Sequence, residues 1–179
     1  MNFTLSLATA DFAQVPNFLD ATQKQINAAA KRTVRKVGTS VSSQFSRELA
    51  SAHDVPLKLI RQRRAFKRFG KDSSGAEEAR LWIGTRPVKA SWLGAMRQTR
   101  QGARVRKHVF AEGFIATMKS GHTGIFQRRG RARLPIDEAV VEFPEAAIIA
   151  ARIKVGIPTR LHTVFQQELN YQLNVRGAR

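Results

Sequence analysis

Phe3, Leu5 and Leu7 alternate with Asn2, Thr4 and Ser6, the two-residue period of a half-buried strand, so the chain is expected to open on a short strand. From Pro16 or Asp20 to about Ala50 the period changes. Ile26, Ala30, Val34, Val37, Val41, Phe45 and Leu49 recur at steps of three or four, which sets them on one face of a helix. Such a helix would be roughly 45 to 50 Å long at 1.5 Å per residue, and Pro16 suits its first turn. Lys24, Lys31, Arg32, Arg35 and Lys36 fall on the opposite face and read as a solvated polar surface. Gly38 is a weak point in the helix interior.

His53-Asp54-Val55-Pro56 breaks this helix, and Pro56 can begin a short one reaching Arg61. Residues Arg63 to Phe69, the turn-forming Lys71-Asp72-Ser73-Ser74-Gly75, and Ala79 to Ile83 read as strand, turn, strand, which is a hairpin. Its first arm interleaves Arg63, Arg64, Lys67 and Arg68 with Phe66 and Phe69. That alternation either sends the aromatics into a core while the cations reach water, or lets the two types grip phosphates and stack on bases; the core reading carries more weight. Ser91 to Gly94 is apolar. Met96 to Arg106 reads as a polar, basic loop, mobile until a partner orders it, because it is rich in like charge and poor in apolar groups.

Between Val105 and Met118 both alternate faces are largely apolar, with Val109, Ala111 and Ile115 on one and Phe110, Phe114 and Met118 on the other, so this stretch is expected to be one central strand. The turn from Gly121 to Gly124 leads into a strand at Ile125 and Phe126, and Leu134 to Phe143 supplies a last strand. Pro144-Glu145 then opens a helix, since proline and an acid both suit a first turn. Gly156 and Pro158 interrupt it, and Leu161, Val164, Phe165, Leu169 and Leu173 restore a helical stripe. The expected fold is α+β: a mostly antiparallel sheet with a long N-terminal helix and a C-terminal helical segment, in a single domain over residues 1–179.

The stretch GFIATMKSGHTGIFQRRGRARLPIDE, from Gly113 to Glu138, joins a glycine-bounded turn, an aromatic, four arginines and a Leu-Pro-Ile segment. In that order, these features resemble the minor tail protein Z family of long-tailed bacteriophages, a branch of the tail-completion or neck proteins. The likeness is closest over about residues 110 to 140 and only architectural outside it. The resemblance implies a structural virion protein at the head-proximal end of a tail, without catalysis or cofactor. It implies other tail or neck proteins as partners, the viral DNA as a further one, and a homo-oligomeric ring, with six copies favoured to match tail symmetry.

Charge adds a physical argument to the pattern. The net charge of the 179 residues is +18, and residues 58–133 hold twenty Lys/Arg and four Asp/Glu, an excess of 16 that accounts for nearly all of it. One region so charged repels itself unless a polyanion or an acidic partner lies near it. Nucleic acid is the commonest such partner and an acidic protein ring the main competitor. A chain of this length can hide roughly 70% of its unfolded surface in one core. Cysteine is absent, so disulfides, thiolate nucleophiles and cysteine zinc sites are excluded. No stretch approaches the ~20 apolar residues of a membrane span. Ala8-Thr9-Ala10 looks faintly like a signal-peptidase site, but no Lys or Arg precedes it and no signal peptide is expected.

Candidate chemistry is sparse. His53, His108, His122 and His162 lie in four different elements without an i, i+4 pair, which is no zinc pattern; His122 reads as a local hydrogen-bonding residue in its turn. Asp72, Glu77 and Glu78 read as a solvated hairpin turn rather than a metal site. No glycine-rich phosphate loop is present, and an enzyme is not expected. The binding candidates are therefore basic: Arg97, Arg100, Arg104, Arg106 and Lys107 in the loop, Lys119, and Arg128, Arg129, Arg131 and Arg133 around Gly130. Arginine forks at a hairpin tip can bind phosphate or carboxylate bidentately. A solvated loop, DNA contact and contact with an acidic neighbouring protein all remain open for them. The function that the resemblance implies is completion of a phage tail and its joining to the head around the DNA passage; the alternative is a sequence-tolerant nucleic-acid-binding protein of ribosomal or nucleoid type.

Overall fold

The computed structural model describes residues 2–7, 21–73, 75–84 and 86–176, with the side chains of 2–7, 63–68, 83, 175 and 176 left aside. In chain order the elements are β1 (Asn2–Leu7), α1 (Gln23–Ala52), α2 (Leu57–Arg64), β2 (Ala65–Lys71), β3 (Glu77–Ile83), β4 (Val88–Lys89), β5 (Met96–Thr99) and β6 (Gly102–Val105). They continue with β7 (His108–Ala111), β8 (Phe114–Thr117), β9 (Thr123–Arg128), β10 (Ile136–Glu138), β11 (Val140–Val141), α3 (Ala146–Val155) and α4 (Ile157–Tyr171), which ends in a π-helical turn over Gln172–Arg176. The expected α+β architecture is present, but its strands form four small antiparallel sheets: β1-β3-β2, β10-β9-β8, β11-β4 and β5-β6-β7.

The helix α1 is the spine. Thr22 caps it in a capping box with Gln25, so the amides of Gln25 and Thr22 are satisfied by side chains; the expected start at Pro16 or Asp20 lies outside the described residues. All seven predicted stripe residues are buried. One side of α1 packs on β3 and β2 and another on α4 and α3. Gly38 is needed for the first of these contacts. A Cβ there would meet Phe69 Cε1 at 3.0 Å and Ala79 Cβ at 3.1 Å, so the residue that looks like a helix defect is one that lets sheet and helix approach closely. The polar face of α1 is not uniformly solvated either: Arg32 and Lys36 pair with Glu168 of α4, and Glu168 is only 4% exposed.

Four further expectations are corrected. Met96 to Arg106 is not a loop but the hairpin β5–β6, continued by β7, because Ala103 and Val105 of β6 are buried on its inner side. The single strand expected over Val105 to Met118 is broken twice, at the turn Arg106–Lys107 and at Glu112, where φ is 56°; Val109 consequently faces solvent, 57% exposed. The last strand is split at Ala139 into β10 and β11. In the β2–β3 hairpin the solvated-turn reading fails for Glu78, which is 5% exposed and paired with Arg80 at 2.8 Å. Where predicted, the helix break falls at Gly156, between α3 and α4.

Candidate polyanion and partner interface

The sheets β5-β6-β7 and β10-β9-β8 adjoin chiefly through the side chain of Gln98. Gln98 Nε2 donates to Gly113 O at 3.0 Å and to Gly102 O at 3.1 Å, while its Oε1 accepts from Ile115 N at 3.0 Å. The amide thus stands in for a length of strand between β5 and β8. Gln127 Nε2 adds a bond to Ala111 O at 3.0 Å. Asp54, at the end of α1, anchors the β6–β7 turn: it accepts from Arg106 Nη2 and from Lys107 N, both at 3.1 Å. The Arg106 bond, opposed by burial and aided by the Lys107 amide, holds the Asp54 carboxyl below its ordinary pKa.

Glu138 pins the other sheet. Its Oε2 lies 2.6 Å from Lys89 Nζ, and its Oε1 lies 2.7 Å from His122 Nε2 and 3.1 Å from Ser91 Oγ. Burial pushes its pKa up, but the bonds from Lys89, His122 and Ser91 outweigh that and leave it lowered. His122 therefore has the local hydrogen-bonding role expected of it. Next to Asp54, at the C-terminal end of α1, His53 stands edge-on to Phe143; burial lowers its pKa, Glu145 opposes this and His108 adds to it.

Against this frame the ten predicted cations divide into two groups, although all are exposed. Arg106 is bound to Asp54, and Arg129 to Asp137 through Nε–Oδ2 at 2.6 Å and Nη2–Oδ1 at 3.1 Å. Arg104 Nε donates to Arg106 O at 2.8 Å. Arg128 Nη1 donates to Arg133 O at 2.7 Å, and its guanidinium lies 5.4 Å from the centre of the Phe114 ring. By contrast, the side chains of Arg97, Arg100, Lys107, Lys119, Arg131 and Arg133 make no ion pair or hydrogen bond among the described residues.

The structure brings some of these cations together. Arg97 and Arg104 are direct cross-strand partners in β5–β6, with Val109 next to Arg104 on β7. Directly opposed residues share a face, so both arginines stand on the outer face of this sheet, opposite the face that buries Ala103 and Val105. Like charges so placed repel each other until an anion bridges them. Lys119 lies apart in the β8–β9 turn, and the arginines from 128 to 133 occupy β9's end and the loop to β10. Sequence reasoning missed Asp54, Gln98, Asp137 and Glu138. Only Asp137 left a trace, being an acid eight residues beyond an arginine across a turn.

A protein-family model described as "Prophage minor tail protein Z (GPZ)" matches residues 14–176. The chain belongs to the minor tail protein Z family. It is accordingly a structural protein of a phage tail, a component of the virion whose partners are other tail proteins. No curated protein and no solved structure matches the chain. Among the described residues of this minor tail protein Z member, no group of three or more His, Asp or Glu could hold a metal ion, and no helix is long and apolar enough to cross a membrane.

Proposed function

We propose that this protein completes the head-proximal end of the tail as one domain per subunit, in a homo-oligomeric ring of six copies, and helps to join tail to head around the DNA passage. Its role there is structural rather than catalytic. The outer face of β5-β6-β7 lines the passage, and phosphate groups neutralise the cations presented there. The observation that carries this reading is the direct opposition of Arg97 and Arg104 on one sheet face, with no carboxylate paired to either among the described residues. A folded domain tolerates such a pair at a cost, and a polyanion removes it. A phosphate track needs charge without sequence reading, and that face offers arginines amid Thr99, Gly102, Val109 and Ala111 rather than a helix shaped for a groove. Membership of a tail-protein family leaves the ribosomal or nucleoid alternative without support of its own.

Imaging of intact particles tests the proposal. Density for this chain should form a ring between tail tube and head, with the β5-β6-β7 face toward the lumen. A particle that carries the chain elsewhere along the tail, or with that face turned outward, overturns it.

A further inference from the structure

The loop between β9 and β10 is a built structure. Arg129 is locked to Asp137 by two bonds, Arg129 N donates to Pro135 O at 3.3 Å, and Arg128 closes the loop from its other side by donating to Arg133 O. Half of the four-arginine run is therefore used in holding the loop's shape. What the loop then presents is Arg131 and Arg133, with side chains unengaged among the described residues, and Leu134, 66% exposed.

From this geometry we infer that the 129–135 loop is a preformed finger that docks Leu134 into a carboxylate-rimmed apolar pocket on a neighbouring tail protein, with Arg131 and Arg133 pairing with the rim. The inference rests on the tail-completion reading and names one of its contacts.

Three features favour a protein over DNA as the occupant. A phosphate backbone has nothing to receive an exposed leucine, whereas an aliphatic anchor set among arginines is how a protein pocket is engaged. Arg129 is neutralised by Asp137, whose side chain is 50% exposed, so a carboxylate stands where phosphates would have to approach. And the finger is braced from both sides before it meets its partner, by the Arg129–Asp137 and Arg128–Arg133 bonds, which lowers the ordering cost of docking into a shaped pocket. The two free arginines supply complementarity to an acidic rim and selectivity among neighbours.

The test uses tails assembled without this chain, to which the full-length protein is added as wild type, Leu134→Ser, Leu134→Met or Arg131→Ser/Arg133→Ser. Binding to tails is read by co-sedimentation. Affinity for random-sequence duplex DNA is measured in parallel, and thermal unfolding serves as a check of fold. Leu134→Ser should weaken tail binding by about ten-fold or more and leave DNA affinity unchanged, Leu134→Met should restore binding, and the double arginine variant should weaken it most at low salt. Leu134→Ser that binds tails like the wild type overturns the docking. Equal loss of DNA and tail binding also overturns it and assigns the finger to a DNA groove. Wild-type protein that does not bind tails at all sinks the tail-completion reading itself, a result distinct from either.

Discussion

Arg129 holds Asp137 with both arms of its guanidinium, at 2.6 and 3.1 Å, across the mouth of the β9–β10 loop. That bidentate pair separates an arginine that shapes the protein from arginines that the protein presents. It also supplies a pH dependence with a definite sign. The hydrogen bond from Arg129 lowers the Asp137 pKa against a smaller effect of burial, and the same bond raises that of Arg129.

A depressed carboxylate stabilises above its unfolded pKa and loses that contribution as pH falls through the folded value. The 129–135 loop should therefore remain ordered at neutral pH and loosen only in acid, below the ordinary aspartate value of 3.8. Asp137→Asn should loosen it at neutral pH. Trypsin cleavage after Arg131 and Arg133 would accelerate in that variant while global unfolding temperature scarcely moved, since the pair is exposed. Cleavage at the wild-type rate would show that the backbone alone holds the loop.

Replacing Glu138 should be felt more widely. Lys89, Ser91 and His122 converge on a carboxylate that is 15% exposed, so Glu138→Ala removes three partners at once. Because Lys89 and His122 can rehydrate, the expected loss is about 1–2 kcal/mol, measured by denaturant unfolding. Glu138 also has a lowered pKa; its stabilisation is complete above the ordinary glutamate range and fades as pH drops below it.

Gly102→Ala tests the hairpin that replaced the expected loop. Gly102 has φ of 143°, and an added Cβ would lie 2.1 Å from Phe110 O and 2.9 Å from Glu112 N. Neither backbone atom can yield without parting β6 from β7, so a loss of about 3 kcal/mol is expected. Near-neutral behaviour in thermal unfolding would contradict the β6–β7 register.

For DNA, the division among the arginines makes a graded prediction. Arg97→Ser/Arg104→Ser should flatten the log–log salt dependence of duplex binding by up to ~0.9 per lost phosphate contact, without altering sequence preference. Arg129→Ser should act mainly through the loop. If all three positions lower the slope alike, the distinction between arginines without a carboxylate partner and an arginine held by one fails.

Much of the architecture was legible because it rests on local periodicity. The α1 stripe, the β2–β3 and β8–β9 hairpins, the break at Gly156 and the stripe from Leu161 to Leu169 each follow from which residues must turn inward within one element. The misreadings share a cause. Met96 to Arg106 resembles a solvated loop because its few apolar side chains, Met96, Ala103 and Val105, are scattered among cations and amides; a small sheet covered on one side leaves too short an alternation to recognise. Glu78 was read as solvent-exposed for a related reason, since nothing in its neighbours along the chain announces burial.

By itself, the sequence determined the helices, the β2–β3 and β8–β9 hairpins and the concentration of charge in residues 58–133, and it pointed to the tail-protein family through Gly113 to Glu138; these depend on residues close to one another along the chain. Tertiary structure decided which cations are available. Arg106 meets Asp54 across 52 residues, Lys36 meets Glu168 across 132, and Gly38 meets Phe69 across 31. Whether a charge is presented or consumed depends on what folding brings within about 3–4 Å of it, and no local pattern encodes that.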